Sequence, residues 1–146
     1  MGKFNGKRVL ISGGASGIGR IMGAMALEKG AEAVVIWDIN QANIDNTLAE
    51  FAKKGRAVGY RVDVSDKEMV AQGYAAVKRE IGDIDILINC AGIITSNKTF
   101  DKCTTDEIYR TMNINAIAPM LVTLQFLPDM VARDSGHICT IASAGG

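Results

Sequence analysis

Gly13, Gly17 and Gly19 fall at the spacing GxxxGxG in Ser12-Gly13-Gly14-Ala15-Ser16-Gly17-Ile18-Gly19, between a β-branched run and a run of helical period. Residues without a Cβ let a backbone turn sharply and approach a pyrophosphate, whose charge is met by exposed N–H groups and the positive end of the following helix. Gly13, Ser16, Gly17, Ile18 and Gly19 are therefore candidate residues for holding a dinucleotide. Asp38 ends the next β-branched run, about twenty residues on, where a carboxylate accepts the two ribose hydroxyls of an adenosine and repels a 2′-phosphate. No Arg or Lys adjoins Asp38 or stands at positions 14, 15 or 16, so the pattern predicts NAD in preference to NADP. Two plainer readings stay open: the glycines as a tight turn needing positive φ, and Asp38 as a cap on the next helix.

These residues need a scaffold of alternating strands and helices. Short β-branched runs at 8–11, 33–37, 57–62, 84–88 and 138–141 predict strands, with helical periodicity between them. Ile18, Ile21, Met22, Met25, Ala26 and Leu27 predict a first helix with one buried face, stopped at Gly30. Further helices are expected over 40–54, 66–80 and 105–133, with Pro119 bending the last and Pro128 bending or ending it. The pattern predicts one α/β domain spanning the chain, a Rossmann-type doubly wound parallel sheet that stops after about five strands.

Asp63-Val64, Asn89-Cys90-Ala91-Gly92, Met112-Asn113-Ile114-Asn115-Ala116 and the segment 136–145 follow the glycine loop in order, and with them the chain resembles the short-chain dehydrogenase/reductase family; Trp37-Asp38-Ile39-Asn40 and Thr140-Ile141-Ala142-Ser143-Ala144 are similar to the retinol and hydroxysteroid dehydrogenase-like branch. Asp63-Val64 ends the third strand, where the resemblance implies contact with the adenine. Asn89-Cys90-Ala91-Gly92 corresponds to the family's Asn-Asn-Ala-Gly, which lines the adenosine ribose and ties strands together; Cys90 departs from the usual second Asn, which removes any role for a side-chain amide there. Met112-Asn113-Ile114-Asn115-Ala116, followed by Leu127-Pro128, resembles the segment carrying the catalytic asparagine and picks Asn115 over Asn113. In Thr140-Ile141-Ala142-Ser143-Ala144-Gly145 the catalytic serine corresponds to Ser143, with Ala142 in place of the dispensable first serine.

The resemblance implies hydride transfer between nicotinamide and an alcohol or carbonyl carbon, with a tyrosine exchanging the proton and a lysine four residues later assisting it. That pair is expected about a dozen residues after Ser143, and the 146 residues stop at Gly146. Tyr74-Ala75-Ala76-Val77-Lys78 spells the same spacing, but its place upstream of Asn89 predicts a surface helical turn, with Lys78 solvated and Tyr74 half buried. These residues are accordingly expected to be part of a longer enzyme, inactive alone, with an exposed fifth-strand edge and an apolar helix face. A non-catalytic NAD-binding module is the competing reading. An epimerase or dehydratase fits less well, because those relatives usually carry GxxGxxG. The family habit implies a homo-oligomer in the full-length form.

Composition excludes other classes. Sixteen basic residues balance sixteen acidic ones, so no net field favours nucleic acid or an anionic membrane. Cys90, Cys103 and Cys139 are odd in number and lack CxxC, and His137 is the only histidine, which suggests neither a disulfide framework nor a metal site. No apolar run approaches the eighteen or more residues of a membrane span, and a cytoplasmic location is expected.

Overall fold

In the computed structural model, which describes residues 3–94 and 98–143, five strands form one parallel sheet. They are β1 (Arg8–Ser12), β2 (Ala33–Asp38), β3 (Ala57–Arg61), β4 (Ile86–Asn89) and β5 (His137–Thr140), in the order β3-β2-β1-β4-β5. Val9, Leu10, Ile11 and residues 33–37 are fully buried, because helices cover both sheet faces and neither set of alternating side chains meets water. On one face α1 (Gly17–Glu28) and α2 (Gln41–Phe51) pack over Val9, Ile11, Val34 and Ile36. On the other, α3 (Lys67–Glu80) and α5 (Ala118–Ala132) pack over Leu10, Val35, Trp37 and Leu87. This is the doubly wound arrangement expected, with its reversal of strand order between β1 and β4.

The first helix buries only part of the face its apolar residues suggested: Ala26 and Leu27 are buried as expected, and glycines take the place of the larger residues beside them. Gly19, Gly23, Ala26 and Leu27 face the core, whereas Ile18, Ile21 and Met25 are exposed. The close approach explains this, since a Cβ on Gly23 would lie 2.8 Å from the Phe51 ring. The fourth strand begins two residues later than expected. Asp85 is engaged instead by the Arg8 N–H (2.9 Å) and by Arg133 (3.3 Å), while Arg133 also donates to the Ile84 carbonyl (2.9 Å).

The stretch expected as one bent helix divides into α4 (Thr105–Met112), a π-helical segment Asn113–Ile117, and α5, which continues through Pro128 to Ala132. Taken together, Thr105–Ala132 is long and apolar enough to cross a membrane by length and composition, which corrects the expectation that no such run exists. Residues 111–128 carry no charged side chain. Here Ala118, Val122, Phe126 and Met130 face the sheet core, while Met120, Leu124 and Val131 are exposed.

Tyr74 and Lys78 are part of a network between α3 and α5. Tyr74 Oη (2.8 Å) and Lys78 Nζ (3.0 Å) both donate to Asp129 Oδ2, and Lys78 pairs with Asp83 as well. Tyr74 is half buried as expected, whereas Lys78 is ion-paired as well as exposed. The Lys78 bond, with that of Tyr74, holds the Asp129 carboxyl below the usual carboxylate range. A depressed folded-state pKa contributes stability that is present above the unfolded value of about 4 and lost as pH falls through the folded value. Asp129→Asn is expected to lower stability by about 1 kcal/mol or less at neutral pH. Thermal melts of both proteins should show that gap closing below about pH 4; a gap independent of pH would assign the effect to something other than the charge.

Candidate functional site: a crevice at the carboxyl ends of the strands

Where the strand order reverses, the carboxyl ends of the strands open into a crevice enclosing about 430 Å³. It is lined by Gly13, Ser16, Gly17, Ile18, Gly19, Asp38, Asp63, Val64, Cys90, Ala91 and Gly92, together with Trp37, Ile39, Val62, Ile93, Arg110, Ile114 and Ile141. Of the cofactor residues expected from sequence, only Asn89 lies off this lining.

The glycine loop is built by close approach. Gly13 has φ +68°, its N–H donates to the Trp37 carbonyl (2.7 Å), and an added Cβ would lie 2.8 Å from the Ala91 Cα. At Gly19 an added Cβ would lie 2.2 Å from the Gly13 carbonyl oxygen, so the first turn of α1 sits directly on the loop. Ser16 is the N-cap of α1 in extended backbone, yet its side chain makes no capping hydrogen bond and no acidic residue stands in the first turn. The positive end of α1 thus meets the crevice with no capping side chain and no acidic residue in its own first turn, which leaves its N–H groups open to a pyrophosphate.

Asp38 is held at both carboxylate oxygens: Oδ2 accepts from the Ala15 N–H and Oδ1 from the Asn40 N–H, each at 3.1 Å. The plainer capping role belongs to Asn40, whose side chain accepts from the Asn43 N–H (3.0 Å). Thr47, fully buried on α2, donates to the Ala15 carbonyl (3.2 Å). Buried Ser12 accepts from the N–H groups of Cys90 (3.2 Å) and Ala91 (3.3 Å). Neither Thr47 nor Ser12 stood out in the sequence, where nothing marks a hydroxyl as a brace between distant loops. The sheet also brings a cation near Asp38: Arg61 pairs with it in register and donates to the Ile39 carbonyl (3.2 Å).

Asp63 Oδ1 accepts from the N–H and hydroxyl of Ser65 (2.9 and 2.6 Å), fixing the turn into α3 and leaving Oδ2 toward other partners. Asn89 is 2% exposed and its amide donates to the Thr123 hydroxyl (3.1 Å), so its side chain ties β4 to α5. Burial pushes the Cys90 thiol up, which disfavours its thiolate.

Asn115 lies beside this crevice, in the π-helical segment. Its side chain accepts from the Ile93 N–H and donates to the Ile93 carbonyl, both at 2.8 Å, clamping the chain that leaves β4. Pro119 has no N–H to give to the Asn115 carbonyl four residues back, so that oxygen lacks its ordinary helical partner. Asn113 is helical backbone at the start of the π segment. Ser143 is exposed, three residues beyond β5, and is not on the crevice lining; Ala144 and Gly145 of the same motif lie outside the described residues. No tyrosine or lysine among the described residues lines the crevice.

A model of the short chain dehydrogenase family matches residues 7–146. Human epidermal retinol dehydrogenase 2 is 38% identical over 143 residues, an alignment covering 97% of this chain and 46% of the relative. Estradiol 17-beta-dehydrogenase 11 of Rattus norvegicus is 38% identical over 143 residues, covering 97% and 47%. Among solved structures, an NAD+-bound xylitol dehydrogenase superposes with TM-score 0.94 at 29% identity, covering 99% of this chain and 56% of that one. The L-sorbose reductase of Gluconobacter frateurii, complexed with NADPH and L-sorbose, gives 0.88 at 26%, covering 97% and 54%. The chain spans about half the length of the curated relatives it matches. With the family model matched over residues 7–146, these residues belong to the short-chain dehydrogenase family.

Proposed function

We propose that these residues form the cofactor-binding part of an NAD-dependent oxidoreductase acting on a small alcohol or carbonyl compound. The observation that carries this reading is the Asp38 carboxylate, fixed on the crevice by two backbone N–H groups, one of them Ala15 of the glycine loop. Bound nicotinamide supplies the hydride chemistry. The chain's own residues hold the cofactor: Gly13 and Gly19 admit the backbone to the pyrophosphate, Ser16, Gly17 and Ile18 present the first turn of α1, and Asp38 takes the ribose hydroxyls. Asp63, Val64, Cys90, Ala91 and Gly92 enclose the adenosine half, and Asn89 braces β4 from behind. Asn115 serves by holding Ile93 and by offering its backbone carbonyl to a water on the proton path. Ser143 is assigned to the substrate oxygen by family resemblance.

The reading of a non-catalytic NAD-binding module is favoured by one observation, that Tyr74 and Lys78 are committed to Asp129 and Asp83. Both readings require NAD binding, and titration calorimetry tests it. NAD is expected to bind at least tenfold more tightly than NADP, a difference of about 1.4 kcal/mol, and Asp38→Ala should reduce that ratio. Equal or tighter NADP binding would sink the NAD assignment and direct attention to Arg61 as the group receiving a 2′-phosphate. These 146 residues are expected to show no turnover of secondary alcohols; turnover would show that a general acid/base is already present.

A further inference from the structure

Arg110 enters the crevice from α4, far in sequence from every other charged residue that lines it. The lining includes two carboxylates, Asp38 and Asp63, and Arg110 is its only cation among the described residues. Its helix is firmly started: Thr104 and Glu107 form a reciprocal capping box, and Glu107 also pairs with Lys98 (3.0 Å). Glu107, one turn before Arg110, is therefore already engaged, and Arg110 makes no ion pair or side-chain hydrogen bond among the described residues. Ile114, four residues on in the π-helical segment, lines the same crevice. Ile39, just past β2, and Val64, three residues past β3, supply further aliphatic surface.

We propose that Arg110 is a specificity-determining residue for the cofactor's base, laying its guanidinium plane against the purine at the β2–β3 end of the crevice. The inference rests on the NAD-binding reading above. A carboxylate at Asp63 suits the purine's amino group but offers nothing to its π-face, whereas a guanidinium is planar, weakly hydrated and able to stack on an aromatic ring. Lysine carries the same charge without the plane, so the two side chains separate stacking from simple attraction to the pyrophosphate.

The test is titration calorimetry of the 146-residue chain, Arg110→Ala and Arg110→Lys with NAD and with ADP-ribose, at low and high salt. Arg110→Ala is expected to weaken both ligands by roughly three- to tenfold, at both salt concentrations, with Arg110→Lys recovering little. Unchanged affinity in Arg110→Ala overturns the inference while leaving NAD binding in place. So does a loss that high salt abolishes and lysine restores, because screening of that kind marks a phosphate contact. If the unaltered chain binds neither ligand, the NAD-binding reading falls and this inference with it. Arg110 is exposed, so the melting temperature of both variants should match the unaltered chain and exclude misfolding as a cause.

Discussion

Replacing Gly19 with alanine is expected to weaken NAD binding by at least roughly tenfold and to lower stability by about 1–3 kcal/mol. The added Cβ would lie 2.2 Å from the Gly13 carbonyl oxygen and 3.1 Å from the Gly14 Cα. Neither obstacle is the end of a flexible side chain, so relief requires moving the loop itself or the first turn of α1. Moving Gly13 is resisted from both sides, by its N–H bond to the Trp37 carbonyl and by its approach to Ala91. The strain thus falls on the backbone that must meet the pyrophosphate. Gly23→Ala provides the comparison: it lies on the same helix, and its Cβ would meet the Phe51 ring at 2.8 Å, away from the crevice. Calorimetry and thermal melts should find both variants less stable but only Gly19→Ala deficient in binding. Equal loss of binding in both would mean that general destabilisation, not loop geometry, is responsible.

The contrast between those two glycines also marks what the sequence can and cannot disclose. That the glycine loop and Asp38 meet at one crevice was legible because each lies in a short contiguous motif with a strand before and a helix after. The five strands were legible because a parallel sheet covered on both faces needs continuous β-branched runs, and the chain has them. The buried face of α1 was only partly legible, in Ala26 and Leu27, because large apolar residues were taken to mark the core, whereas close packing on the Phe51 ring requires glycine at position 23. The break at 113–117 left only Pro119 as a signal. Periodicity cannot register one extra residue in a helical turn, and proline marks the missing donor without saying how the helix will adjust. Arg61, Arg110, Thr47 and Ser12 were invisible for a different reason: each reaches the crevice or its walls through the sheet order, across separations that no local pattern records.

Phe126→Ala is expected to produce the largest loss of stability, about 3–5 kcal/mol, with a fall in melting temperature of about 10–15 °C. Phe126 is 3% exposed and lies between two rings, with centroids 5.6 Å from Trp37 and 5.2 Å from Tyr74. It therefore joins β2, α3 and α5, and truncation leaves a cavity bordered by strand, helix and indole that cannot all collapse together. Leu124 is two residues away on the same helix but 63% exposed, and Leu124→Ala should change stability by no more than about 0.5 kcal/mol. Denaturant titrations of the three proteins decide the matter. A loss below about 1 kcal/mol for Phe126→Ala, or comparable losses at both positions, would show that α5 is not anchored to the sheet by this ring. The expected result instead connects the core to the crevice. Phe126 seats α5 on β2, the strand that ends in Asp38, and α5 continues from the segment whose Asn115 holds Ile93 at the crevice wall.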